Sequence, residues 1–193
     1  MGHMEELKQM LSAVGTLADK DFMTLTGISE LRQYKKGDFL LERNTRARFT
    51  YYMLSGSVRE FFCATDGREF NKAFCFKGDF TGSYYDLNSS KPSLVDIQAL
   101  TDVTAIAIAY KPLKKLIETE PIWLKFAYHI AHVTLIKKLE KEYHLLCLSA
   151  SERYKLLRKE NPLLEQLVPA YHLASYLGIT PVSLSRIRSQ LQN

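Results

Sequence analysis

After Ile122, the apolar residues Trp123, Phe126, Ile130, Val133, Ile136, Leu139, Tyr143 and Leu146 recur at steps of three or four, with no proline or glycine between them. That period predicts one helix of about seven turns, roughly 40 Å long at 1.5 Å per residue. A helix this long exceeds what a small domain needs to cover its own core. Its stripe therefore calls for a partner, and a second copy related by a two-fold axis satisfies it. The competing reading is a stripe that packs only on the chain's own β region. Lys137, Lys138, Glu140 and Lys141, beside the stripe, read as a solvated flank.

Upstream, the pattern is that of strands: short β-branched and aromatic runs separated by glycine turns. Ile28 to Tyr34 and Phe39 to Glu42 flank Lys36-Gly37-Asp38; Tyr51 to Leu54 and Val58 to Cys63 flank Ser55-Gly56-Ser57; Arg68 to Phe76 follows Asp66-Gly67. Each reads as a hairpin, because glycine supplies the positive φ that tight turns need. Leu94 to Leu100 and Val103 to Ile108 bring the set to about eight strands, the number of a barrel or double-sheet jelly roll. A short helix from about Glu5 to Leu17 precedes them; Met1-Gly2-His3-Met4 resembles a vector-derived start and is set aside. Leu113, Leu116 and Ile117 form a further short helix that Pro121 ends or restarts.

A chain of 193 residues can bury one substantial core and a small satellite. No apolar run approaches the roughly 18 residues of a membrane span, so no membrane association is expected. Cys63, Cys75 and Cys147 match neither a zinc nor an iron–sulfur spacing, and read as reduced, mostly buried thiols.

Ser149-Ala150-Ser151-Glu152 ends one helix and caps the next. From Ser151 onward, six basic residues (Arg153, Lys155, Arg158, Lys159, Arg186, Arg188) face three acidic ones (Glu152, Glu160, Glu165). Within this basic tail, Leu173, Ala174 and Leu177 give one helix an apolar face. Gly178 permits a sharp turn, Ile179 plugs the corner, and Thr180-Pro181 starts a second helix whose inward residues are Leu184, Ile187 and Leu191. Val182, Ser183, Ser185, Arg186 and Ser189 then point outward. A small polar face headed by arginine suits a DNA major groove, where a guanidinium can hold guanine O6 and N7 bidentately. Arg186 is the leading base reader, with Val182 and Ser183 beside it; Thr180, Ser185 and Arg188 are placed for phosphates. Taken alone, such a motif could equally be a helical hairpin without any DNA function.

These segments together resemble the cAMP receptor protein/FNR (Crp/Fnr) family of bacterial regulators, in the branch common in Bacteroidetes. The resemblance rests on the glycine-punctuated roll, Phe76-Lys77-Gly78-Asp79-Phe80, the long helix, the run from Ser149 to Tyr154, and the run from Leu173 to Arg188. It implies an α+β chain: a cyclic-nucleotide-binding-like β jelly roll over residues 5–120, a dimerisation helix over 121–148 spanning Trp123 to Leu146, and a helix-turn-helix DNA-binding domain over 149–193. It also implies a cytoplasmic homodimer on a palindromic operator with half-sites about 34 Å apart, and RNA polymerase as a further partner.

Two departures limit what carries over. Relatives that bind cAMP place a glutamate for the ribose and an arginine for the cyclic phosphate where this chain has Gly82-Ser83-Tyr84-Tyr85 and Lys91-Pro92-Ser93-Leu94. Without the arginine the phosphate loses its strongest charge-assisted contact, so tight cAMP binding is not expected. Tyr84, Tyr85, Lys91 and Ser93 become rim candidates for an unidentified small effector. The recognition segment also stops near Asn193, without the two-stranded wing of many relatives, and the cysteines of an iron–sulfur sensor are missing from the N-terminal region.

An alternative function is a small-molecule sensor module with a vestigial DNA-binding head. An enzyme is not expected: His129 and His132 lack a carboxylate ligand at matching spacing, His144 stands apart, and there is no nucleophile triad or phosphate loop. No metal or bound cofactor is expected.

Overall fold

The computed structural model describes residues 2–12, 14–89 and 91–192. The elements run α1 (Gly2–Ser12), α2 (Asp19–Gly27), β1 (Ser29–Tyr34), β2 (Phe39–Leu41), β3 (Phe49–Ser55), β4 (Val58–Cys63), β5 (Glu69–Cys75), β6 (Phe80–Thr81), α3 (Tyr84–Ser89), β7 (Asp96–Ala99) and β8 (Val103–Ala109). Helices α4 (Tyr110–Thr119), α5 (Pro121–Cys147), α6 (Ala150–Glu160), α7 (Leu164–Leu167), α8 (Ala170–Leu177) and α9 (Pro181–Gln192) complete the chain. Helix α1 reaches back into the residues set aside as a vector-derived start, and α2 was not expected.

The strands form two antiparallel four-stranded sheets, ordered β1-β8-β3-β6 and β2-β7-β4-β5. The expected hairpins are corrected accordingly. Only β4 and β5 pair across their turn, at Asp66-Gly67; β1 pairs with β8 and β2 with β7, while β3 and β4 lie in opposite sheets. The turns at Gly37 and Gly56 carry the chain from one sheet to the other. Both have positive φ, and a Cβ at Gly56 would lie 2.2 Å from the Asp102 carbonyl, so only glycine fits.

Alternation along β3 and β8 explains why these strands look apolar on both sides. Tyr51, Met53, Val103, Ala105 and Ala107 face the space between the sheets, where Val58 and Ile97 also pack. Tyr52, Leu54, Ile106 and Ile108 face outward and are covered by Leu7, Leu11, Leu25, Trp123 and Phe126 from α1, α2 and α5. A third core unites Tyr154, Leu157, Leu164, Leu173, Ala174, Leu177 and Leu184 of the C-terminal helices with Leu100, and Phe74 and Phe76 lie against it.

Pro121 opens α5 at its first turn, where its missing amide hydrogen costs nothing. Its 27 residues span about 40 Å, but only Trp123 and Phe126 are buried. Beyond them Val133, Ile136, Leu139, Tyr143 and Leu146 are exposed, Leu146 by 79%. The cysteines also differ from expectation: all are free, but only Cys75 is buried, Cys63 being half-buried and Cys147 exposed.

Candidate nucleic-acid interface and its link to the β roll

Helices α8 and α9 are joined by Gly178, whose φ of 69° puts it in the left-handed region and closes α8 with a turn. Ile179 N–H then donates to the Ala174 carbonyl at 3.0 Å. Leu173, Ala174, Leu177 and Leu184 are buried, and Ile179, Ile187 and Leu191 pack against them. This is the inward set expected from the sequence. Thr180 caps α9: its Oγ1 accepts from Ser183 N–H at 3.1 Å, and the two hydroxyls lie 2.9 Å apart.

The outward set divides. Val182, Ser185, Arg186 and Ser189 are exposed, and Ser189 Oγ donates to the Ser185 carbonyl. Arg186 has no acidic partner within 4 Å among the described residues. Thr180 is exposed but its hydroxyl serves the cap. Arg188 does not share that face. Its Nε donates to the Tyr154 hydroxyl at 3.0 Å and lies 3.2 Å from Glu165, bracing α9 against α6 and α7.

The rim candidates separate as well. Tyr84, Tyr85 and Lys91 are exposed, whereas Ser93 is fully buried and its hydroxyl donates to Ser83 Oγ at 2.9 Å. Ser83 and Ser93 thus satisfy each other. Deeper in the roll, buried Glu60 accepts from Lys72 and, at 2.8 Å, from Thr81 Oγ1. Burial raises the Cys75 thiol, with the Glu60 charge adding to it, so it stays protonated.

Sequence reasoning missed the polar seam that fastens α8 to β5. Arg59, 4% exposed, donates from Nε and Nη2 to Gln98 Oε1 at 3.0 and 2.7 Å and from Nη1 to Glu69 at 2.5 Å. Its guanidinium also stacks on Phe61 at 3.7 Å. Across the seam, Arg59 Nη1 and Asn71 Nδ2 each lie 3.3 Å from His172 Nδ1. Both are donors, so Nδ1 must accept and the ring proton sits on Nε2. Burial first, and then the Arg59 charge, lower the His172 pKa to about 4. Asn71 also donates to the His172 carbonyl, its backbone N–H donates to Ser175 Oγ, and Ser175 donates to the Glu69 carbonyl.

A second junction is Lys141 of α5, whose ammonium donates to the Lys72 carbonyl at 2.6 Å and lies 3.8 Å over the Tyr176 ring. Burial, helped by nearby Lys72, lowers its pKa to about 8. At the end of α5, Arg153 donates to the carbonyls of Leu148 and Leu177, tying the start of α6 to the end of α8. Among the described residues no cluster of three metal-ligating side chains occurs, and no helix is long and apolar enough to cross a membrane.

Residues 31–120 match the family described as Cyclic nucleotide-binding domain. Solved structures similar to the chain include FixK2 from Bradyrhizobium japonicum (22% identity, TM-score 0.74, covering 86% of this chain and 85% of that one). A transcriptional regulator of the crp/fnr family from Eubacterium rectale has 16% identity and TM-score 0.74, with coverages of 91% and 84%. The c-di-GMP responsive global regulator CLP of Xanthomonas campestris has 23% identity and TM-score 0.67, with coverages of 88% and 89%. A search of curated protein sequences finds no match.

Proposed function

Because the chain carries a cyclic nucleotide-binding domain at residues 31–120 and shares its fold with Crp/Fnr regulators, we propose that it is a sequence-specific DNA-binding regulator of the Crp/Fnr type. In this reading α8 and α9 form a helix-turn-helix, residues 149–193 are the DNA-binding domain, 121–148 the dimerisation helix, and 5–120 the sensor. The observation that carries the reading is the outer face of α9: Val182, Ser185, Arg186 and Ser189 stand exposed while Leu184 anchors the opposite side. Small neighbours let the helix enter a major groove, and the unpaired Arg186 is free to read guanine. Val182 and Ser183 flank it, and the Thr180 and Ser185 region meets phosphates. Arg188, held by Tyr154 and Glu165, acts by fixing the angle of α9 rather than as a main phosphate contact.

The bare stripe from Val133 to Leu146 supports a homodimer, because a second copy is the simplest cover for a continuous apolar row on a long helix. Two reading helices related by that axis fit a palindromic site. Ser83 and Ser93 bond each other, and the stretch after Pro92 offers no arginine to a cyclic phosphate, so tight cAMP binding is not expected. The test is selection of bound sequences from a random duplex library, followed by Arg186→Ala. The expected result is a palindromic consensus and a loss of about 1–3 kcal/mol at one base pair per half-site. A chain that binds no duplex at low salt would instead be a sensor module.

A further inference from the structure

Away from the Ser83–Ser93 position, a groove of about 310 Å³ opens between β1, β2, the loop 42–48 and β3. We propose that this groove is a binding site for a small organic anion with an apolar body, a carboxylate or a phosphate monoester. Its use as the regulator's effector site rests on the function proposed above; its existence as a binding site does not.

Three guanidiniums line the groove, Arg32, Arg46 and Arg48, against one carboxylate, Glu42. Arg32 is shared with Glu30 at 2.5 Å and lies 4.0 Å over the Phe49 ring. Arg46 reaches only to 4.0 Å from Asp86, whose other oxygen already accepts from Ala47 N–H. Arg48 has no acidic partner within 4 Å among the described residues, whereas Arg43 in the same loop is paired with Asp96. Glu30 and, more distantly, Asp86 offset two of the three, so Arg48 is the guanidinium that an entering anion would meet unshared. Arginine is the side chain that holds carboxylate and phosphate in two-pronged geometry.

Apart from the hydroxyls of Thr45 and Tyr51, the rest of the lining is apolar. Phe39, 40% exposed, and the half-buried Phe49 form walls that water covers poorly. A purely inorganic anion would leave those rings wet, while a ligand with an aromatic or aliphatic body covers them. The volume lies at the lower end of the range for small-molecule sites.

The loop is also preorganised. Asn44 N–H donates to the Ser93 carbonyl at 2.8 Å, Ser93 N–H to the Thr45 carbonyl at 2.9 Å, and Ala47 N–H to Asp86. Tyr110 N–H, where α4 begins, donates to the Arg48 carbonyl at 3.0 Å. Four contacts fix the loop backbone, so binding orders the arginine side chains but not the chain that carries them. The last contact places the groove one hydrogen bond from the helices that lead into α5.

The experiment is calorimetric titration of the full chain with 4-phenylbutyrate, phenyl phosphate, 4-phenylbutanol, inorganic phosphate and a poly-glutamate peptide. One or both organic anions should saturate at one per chain. Arg46→Gln/Arg48→Gln and, separately, Phe39→Ala should each weaken that binding by at least about tenfold, with Lys114→Gln, on the exposed face of α4, unchanged. The proposal is overturned if neither organic anion saturates, if both groove variants bind like the parent, or if the alcohol, inorganic phosphate or the peptide binds as tightly. Gel shifts on the selected duplex with the same variants keep the two readings apart: anion binding without DNA binding removes the regulator, and DNA binding without anion binding removes the groove.

Discussion

The C-terminal half of the chain meets its surroundings through two surfaces of opposite chemistry. Where α8 lies on β5, a buried guanidinium, an amide, an imidazole and one hydroxyl exchange hydrogen bonds. Along α5 beyond Phe126, the side chains are aliphatic and aromatic and face outward. Apolar contacts are non-directional and favour lasting association, whereas a buried polar network is stable in one register only. The difference teaches that the apolar stripe suits a permanent partner, while the polar seam suits a joint with defined closed geometry.

The strongest way to break that contrast is to charge the stripe. Leu139→Glu should dissociate the proposed dimer, read by sedimentation, and lower affinity for a palindromic duplex about a thousandfold, because the second half-site no longer gains from the first. An unchanged sedimentation coefficient would mean that the stripe has no partner. Next in size is Arg59→Ala, which leaves buried Asn71 and half-buried Gln98 without their donor and exposed Glu69 without its ion pair. Urea denaturation should register a loss of about 3 kcal/mol; a loss near zero would make the seam incidental.

Acid should loosen the same seam. His172 stays neutral in the folded chain down to about pH 4, while in the unfolded chain it takes up a proton near pH 6.5. Between those values the unfolded state binds more protons. Stability is therefore full above about pH 6.5 and falls as pH drops toward 4, by at most about 3 kcal/mol. Comparing urea midpoints of the parent and His172→Gln over that window sharpens the point, since the variant should lack this component of the slope. The smallest effect concerns the joint between the two surfaces. Ser149 caps α6 in a reciprocal pair with Glu152, so Ser149→Ala should cost about 1 kcal/mol in the same denaturation assay without changing duplex sequence preference.

Much of the fold could be read before any coordinates, because turn glycines mark strand ends whatever the strands later pair with. The glycines at 37, 56 and 67 located the breaks. They did not reveal that two of the three breaks switch sheets, since crossover and hairpin use the same positive φ. Helix α2 escaped notice because its Thr24, Thr26 and Gly27 are weak helix formers and its hold on the fold is the burial of Leu25. On α9, spacing sorted inward from outward positions, yet Arg188 falls between the faces and tertiary partners decide its direction. The seam was invisible for a similar reason. Arg59, Asn71 and His172 read as ordinary polar positions until β4, β5 and α8 converge. The groove drew no notice either, because its arginines are spread over β1 and a loop.

Lys141 sits where α5, the roll and the C-terminal helices meet. One ammonium touches a strand of the roll and a ring of the C-terminal bundle at once, so α5 cannot rotate or slide without both neighbours registering the displacement together. A torque applied anywhere along that rod is reported simultaneously at its two sides, like a single rivet passing through three plates.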